Sequence, residues 1–223
     1  MIPQAIQMAE NAFRKYGTRD PFAIMEARNI KLKYFEEPEE LLGFYTVLNR
    51  RQIIGLNSAA GPVQQLTGAI HELGHSLNDY RFAASGSRFT DFKFFSFSNA
   101  PSEANANLTG AHLFIPDEPI LQRICYSDYR ETVAAIGRQI EEYRSDRAKL
   151  AFEEETLQEF YDNHSDLPSY DQLAEEFGVD AGVVKFKFRA LRYKGYEIPN
   201  LPETRSDFLK NWRKNGGREK WWN

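Results

Sequence analysis

Cysteine is almost missing from this chain: Cys125 is the only one in 223 residues, so no internal disulfide can form, which fits a reducing compartment. No apolar run is long enough to span a bilayer, and Met1-Ile2-Pro3-Gln4 does not open a basic region followed by an apolar stretch. The expectation is a cytoplasmic protein without a membrane partner. Internal repeats and low-complexity tracts are absent, which excludes solenoids and largely disordered chains. The net charge of −4 carries no large basic surplus, so the whole molecule is not a generic polyanion binder. Histidine is scarce, with four residues, and two of them lie four positions apart.

The composition that remains, 42% hydrophobic and 27% charged, is that of a globular protein able to bury a core as one large domain or two small ones. Charge is unevenly spread. Residues 181–223 hold 11 basic and 4 acidic side chains, a surplus of +7, and residues 1–180 carry −11. An acidic body with a basic end predicts that the two parts meet different surroundings.

Helical spacing of Ala5, Ile6, Ala9 and Phe13, with Gly17 as a stop, predicts a first helix. Asp20-Pro21 predicts the capped start of a short second one. Ile30–Phe35, Gly43–Leu48 and Gln52–Leu56 read as strands of a small antiparallel sheet, with Asn49-Arg50-Arg51 as a connection. Gly61-Pro62 opens a helix whose apolar stripe is Val63, Leu66, Ile70, Leu73 and Leu77. Residues 81–97 read as a loop with one strand near 92–97. A helix from about Ser102 to Phe114 is ended by Pro116. From Asp117 to Tyr161 the chain reads as almost continuous helix, acidic over 127–163, with Val133, Ile136, Ile140 and Tyr143 on one stripe. Ser169 caps a helix over 170–177, Gly178-Val179-Asp180 makes a turn, and a further helix runs to about Lys194. The fold class expected is α+β: a core over residues 1–125 with a small antiparallel sheet, then a helical region over 126–223 that contains a helix-turn-helix-like pair near 169–194.

The chemistry lies on the third helix. In His71-Glu72-Leu73-Gly74-His75 the histidines are at i and i+4, nearly one above the other, so each imidazole can give one nitrogen to a single cation. Glu72 points partly away from that cation and is better placed to take a proton from a water molecule. Gly74 suits a place where another element packs closely. A chance pattern on a solvated surface helix is the bland alternative, and the apolar stripe beside the histidines argues against it. A catalytic zinc needs a third protein ligand. Cys125, His112 and His164 are poor candidates, each better read as packed or solvated. Glu103 is preferred, although alone it would pass for a carboxylate favoured at a helix N-terminus. Asn107 is four residues further on and suits a role behind a ligand. No oxyanion-stabilising group can be named; Tyr80 and Arg81 are near in sequence only.

His-Glu-x-x-His, then Glu103-Ala104-Asn105-Ala106-Asn107, then Leu113-Phe114-Ile115-Pro116-Asp117, resembles the ImmA/IrrE metallopeptidases. The resemblance covers about residues 10–120, with a weaker echo over 170–195. It implies a zincin-like core, zinc held by His71, His75 and Glu103, and Glu72 as general base. It further implies a protein substrate, namely a helix-turn-helix repressor of phage, mobile-element or stress genes. Two departures stand out. Leu66-Thr67-Gly68-Ala69-Ile70 replaces the usual Arg-Phe-Thr approach to the first histidine, and Thr109 stands where an aromatic is usual.

Near the C-terminus, Leu173, Ala174, Phe177, Gly178, Val179 and Val184 have helix-turn-helix spacing, and Lys185, Lys187, Arg189, Arg192 and Lys194 make the second helix basic. Contact with DNA phosphates is one reading. A partner-docking or scaffold role is favoured over it, because Lys187 stands where that motif wants an apolar residue. Two rival functions accompany the peptidase: a DNA-binding regulator with a structural or silent metal site, and a protein that binds a repressor without cutting it.

Overall fold

The computed structural model describes residues 3–36, 41–86, 88–91 and 100–203. These residues form an α+β fold divided into two compact units. One comprises Met1–Pro116 with Ala174–Gly195, the other Asp117–Leu173 with Tyr196–Asn223. No helix among the described residues is long and apolar enough to cross a membrane.

The first unit begins with α1 (Gln4–Tyr16), stopped at Gly17, whose φ of 68° lies in the left-handed region and whose N–H bonds to the Phe13 carbonyl. Its buried face is Ala5, Ile6, Ala9 and Ala12. Phe13 is instead 37% exposed, with the Arg19 guanidinium over its ring. In α2 (Pro21–Ala27) the Asp20 side chain accepts the Phe22 N–H and Pro21 takes the first helical position, where a missing N–H costs nothing.

The strands are β1 (Lys31–Phe35), β2 (Gly43–Leu48), β3 (Arg51–Asn57) and β4 (Arg88–Asp91). Leu48 pairs with Arg51, so the β2–β3 hairpin turns on Asn49 and Arg50, both at positive φ, as a twist-matched two-residue turn requires. Within this hairpin Gly55 lies under the Phe44 ring, where any side chain would collide with it.

The sheet is mixed rather than purely antiparallel. Its order is β1-β3-β2-β4, and β1 runs parallel to β3. Three consecutive strand patterns suggest a meander, but here β3 inserts between β1 and β2. Asn57, at the end of β3, secures the crossing: its buried amide donates to the Leu41 carbonyl and its N–H bonds to that of Leu42. Such an order rests on hydrogen bonds between distant segments, which strand periodicity does not encode. The strand in the 81–97 segment occurs at Arg88–Asp91, paired with β2; the reading over 92–97 lies outside the described residues. The start of that segment is helical, α4 (Tyr80–Ala84).

Helix α3 (Pro62–Asn78) is the centre of this unit. Its first turn is solvated, with Val63 47% exposed, but every residue from Thr67 to Ser76 is buried. One side packs on β2 and β3, and the other on α5 (Pro101–Phe114). α3 and α5 approach closely because both carry a glycine at the crossing. A Cβ on Gly74 would strike the Ala106 carbonyl, and one on Gly110 would lie 2.5 Å from the Ile70 carbonyl oxygen. α10 (Ala181–Tyr193) covers α5 as well, burying Val183, Val184, Phe186, Lys187, Phe188, Ala190 and Leu191.

In the second unit, the almost continuous helix read over Asp117 to Tyr161 is three helices, α6 (Asp117–Arg123), α7 (Tyr126–Ile140) and α8 (Asp146–Asn163). Cys125 breaks it with a φ of 50°, and Ser145 starts it again by accepting the Ala148 N–H. Of the predicted stripe, Ile136 is buried, Val133 and Ile140 are half-buried, and Tyr143, beyond α7, stacks on Phe152 of α8. α9 (Tyr170–Phe177) opens with a reciprocal cap in which Ser169 Oγ accepts the Gln172 N–H and Gln172 Oε1 accepts the Ser169 N–H.

Candidate metal centre

His71, Glu72 and His75 all lie in the buried stretch of α3. None of the three is exposed beyond 1%. The close crossing at Gly74 and Gly110 brings Glu103, in the first turn of α5, over both imidazoles. Glu103 Oε2 is 3.4 Å from His71 Nε2, and Oε1 is 3.4 Å from His75 Nε2. The carboxylate spans two rings whose centroids are 4.7 Å apart and nearly perpendicular. One donor atom from each of the three residues lies within 4.8 Å of the others, which is the spacing of a site able to hold a cation. Glu103 keeps 24% of its side chain exposed, so the cluster opens to solvent on that side.

The other nitrogen of each ring is occupied. His71 Nδ1 donates to Asn107 Oδ1 at 2.7 Å, and His75 Nδ1 donates to Asp79 Oδ2 at 2.8 Å. Those bonds place a proton on Nδ1 of each ring and turn both Nε2 atoms toward Glu103, the orientation that metal-ligating histidines adopt. The two imidazoles beside Glu103 hold its carboxyl well below the usual carboxylate range, against the opposing effect of burial. For His75, burial alone would lower the pKa; Asp79 and Glu103 outweigh it, and the net shift is upward. The fit to a divalent cation rests on this donor set: two oriented imidazole nitrogens, one ionised carboxylate and an open side.

The remaining candidates go elsewhere. His112, on the opposite side of α5 from Glu103, meets Lys187 Nζ at 3.0 Å. Cys125 and His164 belong to the second unit, where His164 bonds to the Phe160 carbonyl and to Asp128. Tyr80 and Arg81 open α4 and are solvent-exposed. Asp79 escapes a reading for ligands because it contacts no cation position itself. Its only sequence signal is that it follows His75 by four residues. Lys187 on α10 and Lys194 just beyond it turn toward His112 and Glu10 respectively, and Arg189 and Arg192 are exposed cations of that helix.

Two imidazoles and a carboxylate meeting from crossed helices, with a second carboxylate buried one residue away, form the donor set that a metal-dependent hydrolase uses. The sequence comparison narrows that class. Residues 19–144, more than half of the chain, match the IrrE N-terminal-like domain of peptidase family M78, and the chain belongs to this ImmA/IrrE family of metallopeptidases. No curated protein and no solved structure matches it. Membership brings with it a metal and a protein substrate.

Proposed function

We propose that this protein is a zinc-dependent endopeptidase that cuts a helix-turn-helix transcriptional repressor and thereby induces phage, mobile-element or stress genes. The observation that supports it most is the convergence of His71 Nε2, His75 Nε2 and the Glu103 carboxylate, with both Nδ1 atoms tied back. His71, His75 and Glu103 would hold the ion, and Asn107 would stand behind His71. Bound there, zinc supplies Lewis acidity, polarising a scissile carbonyl and making a water molecule more acidic. Glu72, buried next to His71, takes the proton of the attacking water and passes it to the leaving amine. A zincin-like core follows from the same reading, with the substrate extended along a sheet edge and held by main-chain hydrogen bonds.

A particular protein, rather than peptides at large, fits the surface chemistry. Helix α8 is rich in Asp and Glu, and α10 exposes Arg189 and Arg192. Docking away from the cleft supplies orientation that a short peptide lacks. The test pairs the purified zinc-loaded protein with a helix-turn-helix repressor encoded beside its gene, and separately with unstructured casein. One defined cut in the repressor, lost in Glu72→Gln while zinc content stays at about one per chain, is the expected result. Casein degraded while the repressor stays intact would overturn the substrate assignment. Full zinc content in His75→Ala would overturn the metal assignment.

A further inference from the structure

Asp79 grips His75 twice. Its backbone N–H bonds to the His75 carbonyl at 2.7 Å, closing the last turn of α3, and its Oδ2 accepts from His75 Nδ1 at 2.8 Å. The position is an unusual one for a carboxylate. Asp79 caps the C-terminus of α3, where unsatisfied carbonyls and the helix dipole disfavour negative charge. It also precedes α4, where an aspartate commonly caps by accepting an N–H; that capping bond is not made, and the carboxylate turns back to the imidazole instead. Neither helix end accounts for its orientation. The ring of His75 does.

The two histidines are therefore held by different chemistry. His71 is secured by a neutral amide, Asn107, carried on α5. His75 is secured by an anion carried by its own helix end. Glu103 and Asn107 share α5, so any shift of α5 moves the third donor and the His71 restraint together. The Asp79 bond joins two groups at the end of α3 and involves no residue of α5. Asp79 also adds a negative charge behind one ligand ring, which raises the donor strength of Nε2 and offsets the charge of a divalent cation at a buried site.

We propose that Asp79 is a positioning residue of the metal centre. It locks His75 in the Nδ1–H tautomer with Nε2 facing Glu103, and its charge strengthens cation binding there. This rests on the metal-site reading above, and the experiment keeps the two separable. First, the tautomer of His75 is read by long-range nitrogen–proton NMR of the metal-free full-length protein, at a pH where the rings are neutral. Wild type should show Nδ1–H, whereas Asp79→Ala should move toward Nε2–H, the form preferred by an unrestrained imidazole. Second, zinc affinity is measured by chelator competition for wild type, Asp79→Asn and Asp79→Ala, each checked for native circular dichroism. Asp79→Ala should bind zinc about 10–100-fold more weakly. Asp79→Asn, which keeps an acceptor oxygen but not the charge, should fall between it and wild type and serves where the alanine variant does not fold. An unchanged His75 tautomer together with zinc affinity within about twofold of wild type, on the scale of that expected loss, would overturn the proposal. If wild type itself takes up no zinc, the metal-site reading fails, while the tautomer spectra still decide whether Asp79 sets the ring.

Discussion

Lys187 is buried, and its ammonium donates to His112 Nδ1 at 3.0 Å. The contact continues outward, since His112 Nε2 lies 3.6 Å from Glu10 Oε1, and Glu10 also accepts from Lys194 at 3.0 Å. Helices α1, α5 and α10 are joined through this one polar chain behind the metal helix pair. Burial would raise the Glu10 pKa, but Lys194 and His112 outweigh it and hold the carboxyl ionised to lower pH.

Removing Lys187 leaves a buried imidazole acceptor and a void where the lysine stem lay. Lys187→Ala should cost about 2–4 kcal/mol, and Lys187→Met, which refills the stem, about 1–2 kcal/mol. Urea denaturation midpoints measure both. An alanine variant as stable as wild type would show that the pair carries no weight.

Two glycine substitutions should move stability in opposite directions. Gly74→Ala puts a methyl group into the Ala106 carbonyl and must push α3 and α5 apart, costing about 1–3 kcal/mol or more and weakening zinc uptake. Gly137→Ala on α7 meets nothing within 4 Å and should gain up to about 1 kcal/mol from helix propensity alone. Thermal scans distinguish these outcomes. Equal effects at the two sites would contradict the close crossing.

Thr109 is buried and works as a polar link. Its hydroxyl donates to the Ala5 carbonyl at 3.0 Å and accepts from Asn78 Nδ2 at 2.9 Å, tying α1, α5 and the end of α3 together. Thr109→Val keeps the shape and removes both bonds, so the loss should be about 1–2 kcal/mol. Hydrogen exchange at the C-terminal turn of α3 should quicken. A neutral substitution would mean that water or neighbouring groups replace both bonds.

His164 should make the stability of the second unit depend on pH. Burial would lower its pKa, but the Phe160 carbonyl and Asp128 raise it above the ordinary histidine value. Its imidazolium thus stabilises the folded chain fully below about pH 6.5, and that contribution fades as pH rises through the higher folded pKa. Melting temperature should fall over that range, and Asp128→Asn should flatten the decline. A wild-type profile identical to that of Asp128→Asn would remove His164 as its cause.

Much of this architecture is legible in short stretches of sequence. Asp20-Pro21, Gly61-Pro62 and Ser169 mark helix starts because capping is settled within four residues. Strand β2 falls on the alternation that marks it, and the i, i+4 histidines share a face because helix geometry leaves no choice. The parallel pairing of β1 with β3 and the return of Ala174–Gly195 to the first unit have no such local signature. Both are decided by hydrogen bonds and packing between segments far apart in the chain.

The sequence by itself determined that α3 would carry two histidines and a carboxylate in one register, because spacing along a helix is a local property. Only the tertiary structure decided that those rings would be buried, that Glu103 would lie 3.4 Å from both, and that Asn107 would hold His71 from behind. The reason lies in the crossing at Gly74 and Gly110. Two helices can approach that closely only where neither carries a side chain at the contact, and which glycines face each other is fixed by the packed fold rather than by either helix alone.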